Sequence, residues 1–377
     1  MTRTLLSKIT CVADSRLSAT IEEALSDMVI PEAFMQRGKQ VSLVERSGLF
    51  GIGSHTDLSE SRSELYRFYV PAAAEADAAR RLAEAADLYL PGRGTIFAET
   101  VELMYPFEPS YNMERLSSTI LDASRSKPLE KHTALCCIVQ RGMGEALAQT
   151  ILEMGLCVPV ISYGEGMGLR NKLGLLRITI PLDKEILYFV VPERDANLLE
   201  GVAVHKARLD RPGQGFIYRF DVRAYAVNLR VRSGKRSHAA SMEQVISALD
   251  ELRGSSEWRR FTATKPRKIR EGQKLPESAL ACLSIVAEEG SVGKFVRVAM
   301  DIGAGGATVV PMARRQYSLD NEGVSNASNA REICDLIVSR ELVEPIVLAV
   351  ESKGLFSEEA YGMAELSSVG NAITYTG

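Results

Sequence analysis

The order of strand-like and helix-like runs constrains this chain more than any single motif. The order strand, helix, strand, strand, helix, strand can be read three times along its 377 residues. The middle copy is the clearest. Residues 134–139 are a strand-like apolar run, and 144–154 carry Leu147, Ile151 and Leu152 at helical spacing, with Gly155 to end the helix. A second strand is predicted over 157–163, followed by a loop with Gly164, Gly166 and Gly168 that runs on to Arg177, longer than a plain connection requires. A third strand over 185–191 stops at Pro192, a helix over 193–204 follows, and Gly213, Gln214 and Gly215 open a fourth strand over 216–222.

The amino-terminal copy reads the same way. Strands are predicted over 7–13, 40–46, 64–70 and 95–103, and helices over 17–28 and 75–88, the second alanine-rich and strong by propensity. Gly92, Arg93 and Gly94 precede its last strand, so two copies share a GxG at one position. In the third copy the strands fall at 280–287, 307–311, 333–338 and 363–375 and the helices at 293–302 and 342–350, but a lone Gly362 replaces the GxG. The reading is therefore α+β, with three tandem ferredoxin-like β-α-β-β-α-β units over residues 7–105, 133–228 and 280–377. Segments 106–132 and 229–279 are read as linkers.

Composition narrows the function. Apolar residues make up 46% of the chain, enough for several cores, and 45 basic against 48 acidic residues argue against a uniformly basic nucleic-acid surface. The exception is local: Arg259, Arg260, Lys265, Arg267, Lys268 and Arg270 occur without an acid between them, which we read as a solvated linker. No apolar run approaches the roughly 18 residues of a membrane span, and no secretory signal is visible near the start, so a cytoplasmic location is expected. Six cysteines lie mostly in apolar runs without CxxC pairs, and four scattered histidines suggest neither a triad nor a metal centre. Adjacent acids such as Glu22 and Glu23 point apart on any regular element. The expectation is a protein that is not an enzyme.

The middle unit resembles the PII family of signalling proteins. The likeness rests on Gly164 to Gly168, on the run Glu185-Ile186-Leu187-Tyr188-Phe189-Val190-Val191-Pro192-Glu193, and on Gly213-Gln214-Gly215-Phe216-Ile217. Gly92-Arg93-Gly94-Thr95-Ile96-Phe97 carries it in the first unit and Gly303-Ala304-Gly305-Gly306-Ala307 in the third. PII proteins are homotrimers, so the resemblance implies a monomeric pseudo-trimer, with an adenine nucleotide (ATP, ADP or AMP) bound between units. It also implies long loops that control a target enzyme or membrane transporter of nitrogen or inorganic-carbon metabolism. Glycine turns suit that role because their N–H groups can converge on phosphate.

On this resemblance the nucleotide contacts are Gly92, Arg93, Gly94, Gly164, Gly166, Gly213, Gln214, Gly215 and Arg223, and the partner loop presents Arg170, Lys172, Leu173, Leu175, Leu176 and Arg177. The chain departs from the family where Thr95 and Phe216 replace the lysine that often follows the GxG. The alternatives are a CutA-like scaffold without nucleotide binding, and a nucleotide-hydrolysing enzyme.

Overall fold

Successive side chains along a strand point to opposite sides of the backbone, and in strands buried on both faces they meet two different layers. In β1 (Thr2–Asp14), Ile9, Cys11 and Ala13 turn toward helices, while Leu6, Lys8, Thr10 and Val12 turn the other way. The computed structural model describes residues 2–47, 54–105, 128–167, 182–228, 279–317, 329–357 and 360–374. After β1 come α1 (Ser18–Asp27), β2 (Glu32–Ser47), β3 (Ser54–Val70), α2 (Glu75–Ala85) and β4 (Gly94–Tyr105). The next group is β5 (His132–Gln140), α3 (Met143–Glu153), β6 (Val160–Met167), β7 (Asp183–Pro192), α4 (Glu193–Ala207) and β8 (Gly215–Ala226). The last is β9 (Leu280–Glu288), α5 (Val292–Ile302), β10 (Ala307–Gln316), β11 (Ala330–Ser339), α6 (Arg340–Ser352), β12 (Met363–Ser368) and β13 (Asn371–Thr374).

The fold class expected from the sequence is overturned at the level of the sheet. Three separate ferredoxin-like layers, assembled as a pseudo-trimer, would each keep their own strands. Instead the described strands form one 13-stranded sheet in the order β10-β11-β9-β12-β4-β1-β3-β2-β6-β7-β5-β8-β13, with further pairings β10–β2, β10–β6 and β4–β8, all antiparallel. The physical cause lies at the strand edges. A strand's outer N–H and C=O groups must find partners, and here they find them across the boundaries between the groups. β2 reaches β6 at Gly38–Ser162 and β10 at Met35–Ala313, and β4 is held by β12 at Met104–Ala364 and by β8 at Ala98–Arg223.

Local departures follow from the same pairings. β6 runs on through Met167, so Gly164 and Gly166 lie within a strand and not in the predicted loop. β10 passes through Pro311, which lies between the stretch 307–309 that pairs with β6 and the stretch 313–316 that pairs with β2. A residue without an N–H is tolerated there because neither strand needs one at that point. The final predicted strand divides at Val369 and Gly370 into β12, on β4 and β9, and β13, on β8.

Three apolar cores fill the space between sheet and helices, one under α1 and α2, one under α3 and α4, and one under α5 and α6. A fourth gathers Leu6, Phe34, Phe97, Tyr218, Val286 and Val310 from all three groups on the opposite face of the sheet. Charged groups adjoin that shared interior.

Two glycines mark where backbones come closest. A Cβ on Gly94 would lie 2.1 Å from the Val12 carbonyl oxygen, and one on Gly215, at φ +138°, would lie 1.9 Å from that of Ile138. Gly94→Ala and Gly215→Ala should each destabilise the protein by about 3 kcal/mol in chemical denaturation, within the span of severe single substitutions. Gly201→Ala, in open space on α4, should stabilise it by roughly 0.5–1 kcal/mol.

Candidate functional site

The turn between α2 and β4 is built by Gly92 at φ 83°, a conformation that glycine adopts without strain. Its N–H donates to Asn228 Oδ1 at 2.8 Å. The Asn228 backbone N–H donates to Thr95 Oγ1 at 2.9 Å, and Asn228 Nδ2 donates to Gln40 Oε1 at 3.3 Å. One asparagine beyond β8 thus ties the turn to β2. Arg93 accepts the Asp14 N–H through its carbonyl at 3.2 Å, and its half-buried guanidinium reaches Asp87 at 3.2 Å. Gly94 serves close packing against β1.

The other expected contacts stand elsewhere. Gly213, at φ 71°, accepts a hydrogen bond from Gln140 Nε2 at 2.9 Å, while the Gln214 N–H donates to Arg211 and Gly215 packs on β5. A Cβ on Gly164 would lie 2.7 Å from the Val309 carbonyl oxygen of β10, and the Gly166 N–H is used by Leu182 at 2.8 Å. Arg223 sits opposite Ala98 where β8 pairs with β4, so it shares a seam with Gly92, Arg93 and Gly94. Gly164 and Gly166 lie on β6, Gly213 in the turn before β8, and Gly215 at the start of β8. Arg170, Lys172, Leu173, Leu175, Leu176 and Arg177 lie outside the described residues, as does the basic stretch 259–270.

The Arg223 guanidinium is already engaged. Its Nε and Nη2 meet the two oxygens of Glu75 at 2.5 and 2.6 Å, and Glu75 also accepts from Ser7 Oγ at 2.5 Å and Tyr225 OH at 2.8 Å. Burial pushes the Glu75 carboxyl upward, but hydrogen bonds from Arg223, Ser7 and Tyr225 outweigh it and hold the group below its ordinary value. This bidentate pair fastens the start of α2 to β8.

Sequence reasoning missed the second polar assembly. A cavity of about 40 Å³, with space for roughly three waters, lies in the shared interior and is lined by Lys8, Arg67, Glu99, Asp335 and Glu365 among others. Lys8 Nζ is bonded to Glu365 and lies 3.0 Å from Glu99. Burial disfavours the ammonium, yet Glu365 and Glu99 hold its pKa above the usual lysine value. Glu365 also accepts from Tyr69 OH at 2.7 Å. Arg67 donates to Gln36 Oε1 at 2.7 Å and Tyr188 OH at 3.1 Å, with the guanidinium 5.6 Å from the centre of the Tyr188 ring. Asp335 accepts from Ser284 Oγ at 2.7 Å and Tyr218 OH at 3.3 Å. The available signal was a lone cation beside apolar or aromatic residues two positions away, Lys8 after Leu6 in β1 and Arg67 between Leu65 and Tyr69 in β3, which alternation alone assigns to solvent.

All six cysteines are buried and unbridged, and burial pushes the Cys11 and Cys136 thiols up to about 12. Among the described residues no three His, Cys, Asp or Glu side chains gather as metal ligands, and no helix is long and apolar enough to cross a membrane. No protein-family model matches the chain, and no curated protein matches it.

Glu75 supplies a pH prediction. A carboxyl held below its unfolded value stabilises the fold above that value and loses this contribution as pH falls through the folded one. Glu75→Gln should cost about 2 kcal/mol at neutral pH, measured by urea unfolding. The deficit should shrink as pH falls below the ordinary glutamate range, where wild type loses its advantage.

Proposed function

We propose that the protein is a non-catalytic regulator that binds an adenine nucleotide at the seam where β4 meets β8 and reports the bound state to a target protein. The supporting observation is the convergence of Gly92, Thr95, Gln40 and Asn228, drawn from three distant parts of the chain. The Gly92 N–H in a positive-φ turn is a donor of the kind that phosphate oxygens accept, and Asn228 Oδ1 holds the position such an oxygen would take. Arg93, whose half-buried guanidinium is paired with the exposed Asp87, is the nearby cation in sequence. ATP, ADP and AMP are the effectors proposed, and the loop through Arg170, Lys172, Leu173, Leu175, Leu176 and Arg177 is the segment proposed to dock on the target, an enzyme or a membrane transporter. The setting proposed is cytoplasmic, and the metabolism served is that of nitrogen or inorganic carbon.

A second reading has its own support. Gly94, Gly164 and Gly215 are each explained by close backbone packing, and Arg223 is taken by Glu75. A scaffold of the CutA kind, without nucleotide, needs nothing more from them.

Calorimetric titration of the full chain with ATP, ADP and AMP separates the two. Saturable binding that Arg93→Ala weakens about tenfold, the loss of one charge-assisted contact, is the expected result. Heats no greater than dilution for all three nucleotides would leave the scaffold reading.

A further inference from the structure

The interior cavity brings three carboxylates, Glu99, Glu365 and Asp335, together with two cations, Lys8 and Arg67. These five groups do not balance if all are ionised. They are also supported unequally. Glu365 has Lys8 and the Tyr69 hydroxyl, and Asp335 has the Ser284 and Tyr218 hydroxyls, whereas Lys8 is the one partner described above for Glu99, and it is shared with Glu365. Glu99 is 6% exposed, so it is largely withdrawn from bulk water.

We propose that the cavity is a proton-binding site in which Glu99 carries one proton shared within the cluster, and that losing this proton loosens the seam between β4 and β12. The groups facing Glu99 come from every surrounding strand. Lys8 stands on β1, Arg67 and Tyr69 on β3, Tyr188 on β7, Tyr218 and Arg223 on β8, Ser284 on β9, Asp335 on β11 and Glu365 on β12. With Glu99 neutral, Lys8 and Arg67 face two carboxylates, Arg223 being taken up by Glu75. With Glu99 ionised, a third negative charge stands across one ammonium from Glu365, on the two strands that pair at Leu103–Glu365 and Val101–Ser367. Repulsion in a weakly screened interior then acts directly on that pairing.

The direction of the Glu99 carboxyl agrees with this geometry. Burial raises it, Lys8 lowers it and Glu365 raises it again, leaving it above the ordinary glutamate value. A carboxyl raised in the folded state binds a proton on folding. Its stabilisation is complete below the unfolded value, about 4.3, and is lost as pH rises through the folded value.

The test compares urea unfolding of the full chain with that of Glu99→Gln, a neutral mimic of the protonated acid, across this window, alongside infrared spectra of wild type. The wild-type unfolding constant should rise more steeply with pH than the variant's, by up to tenfold per unit for one proton. A protonated-carboxyl band in folded wild type should fade over the same window. Parallel pH profiles, or a wild type with no protonated-carboxyl band above the ordinary glutamate range, would overturn the proposal. If Glu99→Gln does not fold, the wild-type band decides alone.

Discussion

Unsatisfied strand edges are the constraint on which the rest of this structure depends. Rows of four strands, such as β4-β1-β3-β2, present outer edges whose main-chain groups need partners. Each row meets that need from the others: β2, β6 and β10 pair with one another toward one set of edges, and β4 takes both β8 and β12 at the other. Pairings run from β4 through β1, β3, β2, β10, β11, β9 and β12 back to β4, so that part of the sheet closes on itself. The shared interior exists because of this closure.

Closure also explains where charge is buried. Removing an ion from water costs several kcal/mol unless it is paired, and the buried pairs here bridge segments far apart in sequence. Arg314 on β10 meets Glu32 on β2 at 2.6 Å, Arg223 on β8 meets Glu75 on α2, and Lys8 on β1 meets Glu365 on β12. Asn371 on β13 donates to both oxygens of Glu200 on α4 at 2.9 Å. Such pairs add little net stability against well-packed apolar groups, but an incorrectly registered strand would strand a charge in the interior.

The element order was largely legible in the sequence because periodicity reports which side of a helix or strand is buried. Leu147, Ile151 and Leu152 are all buried on α3, and the alanine-rich helix forms from Glu75. Edge partners were not legible. Nothing in the run from Glu32 to Ser47 says that its outer edge meets two other strands, and that missing information turned an expectation of three layers into one sheet. Of the candidate site, Gly92 to Gly94 and Arg223 do share a seam, yet Gln40 and Asn228, which complete it, carry no motif. Gly94 and Gly215 look like ligand-binding glycines in sequence, although a carbonyl oxygen of a neighbouring strand lies where a side chain would begin.

Closure by distant strands also has a cost in time. The outer edges of β2 and β4 are made well before their partners on β10 and β12, which lie at residues 307–316 and 363–368. A ribosome delivers those partners some two hundred residues or more after the edges they cover. Until then the nascent chain exposes open edges and an unfilled apolar interior, the two features that invite association with other chains. The later strands therefore protect the edges synthesised before them, and a chain ended shortly before β12 would present the cell with a template for aggregation.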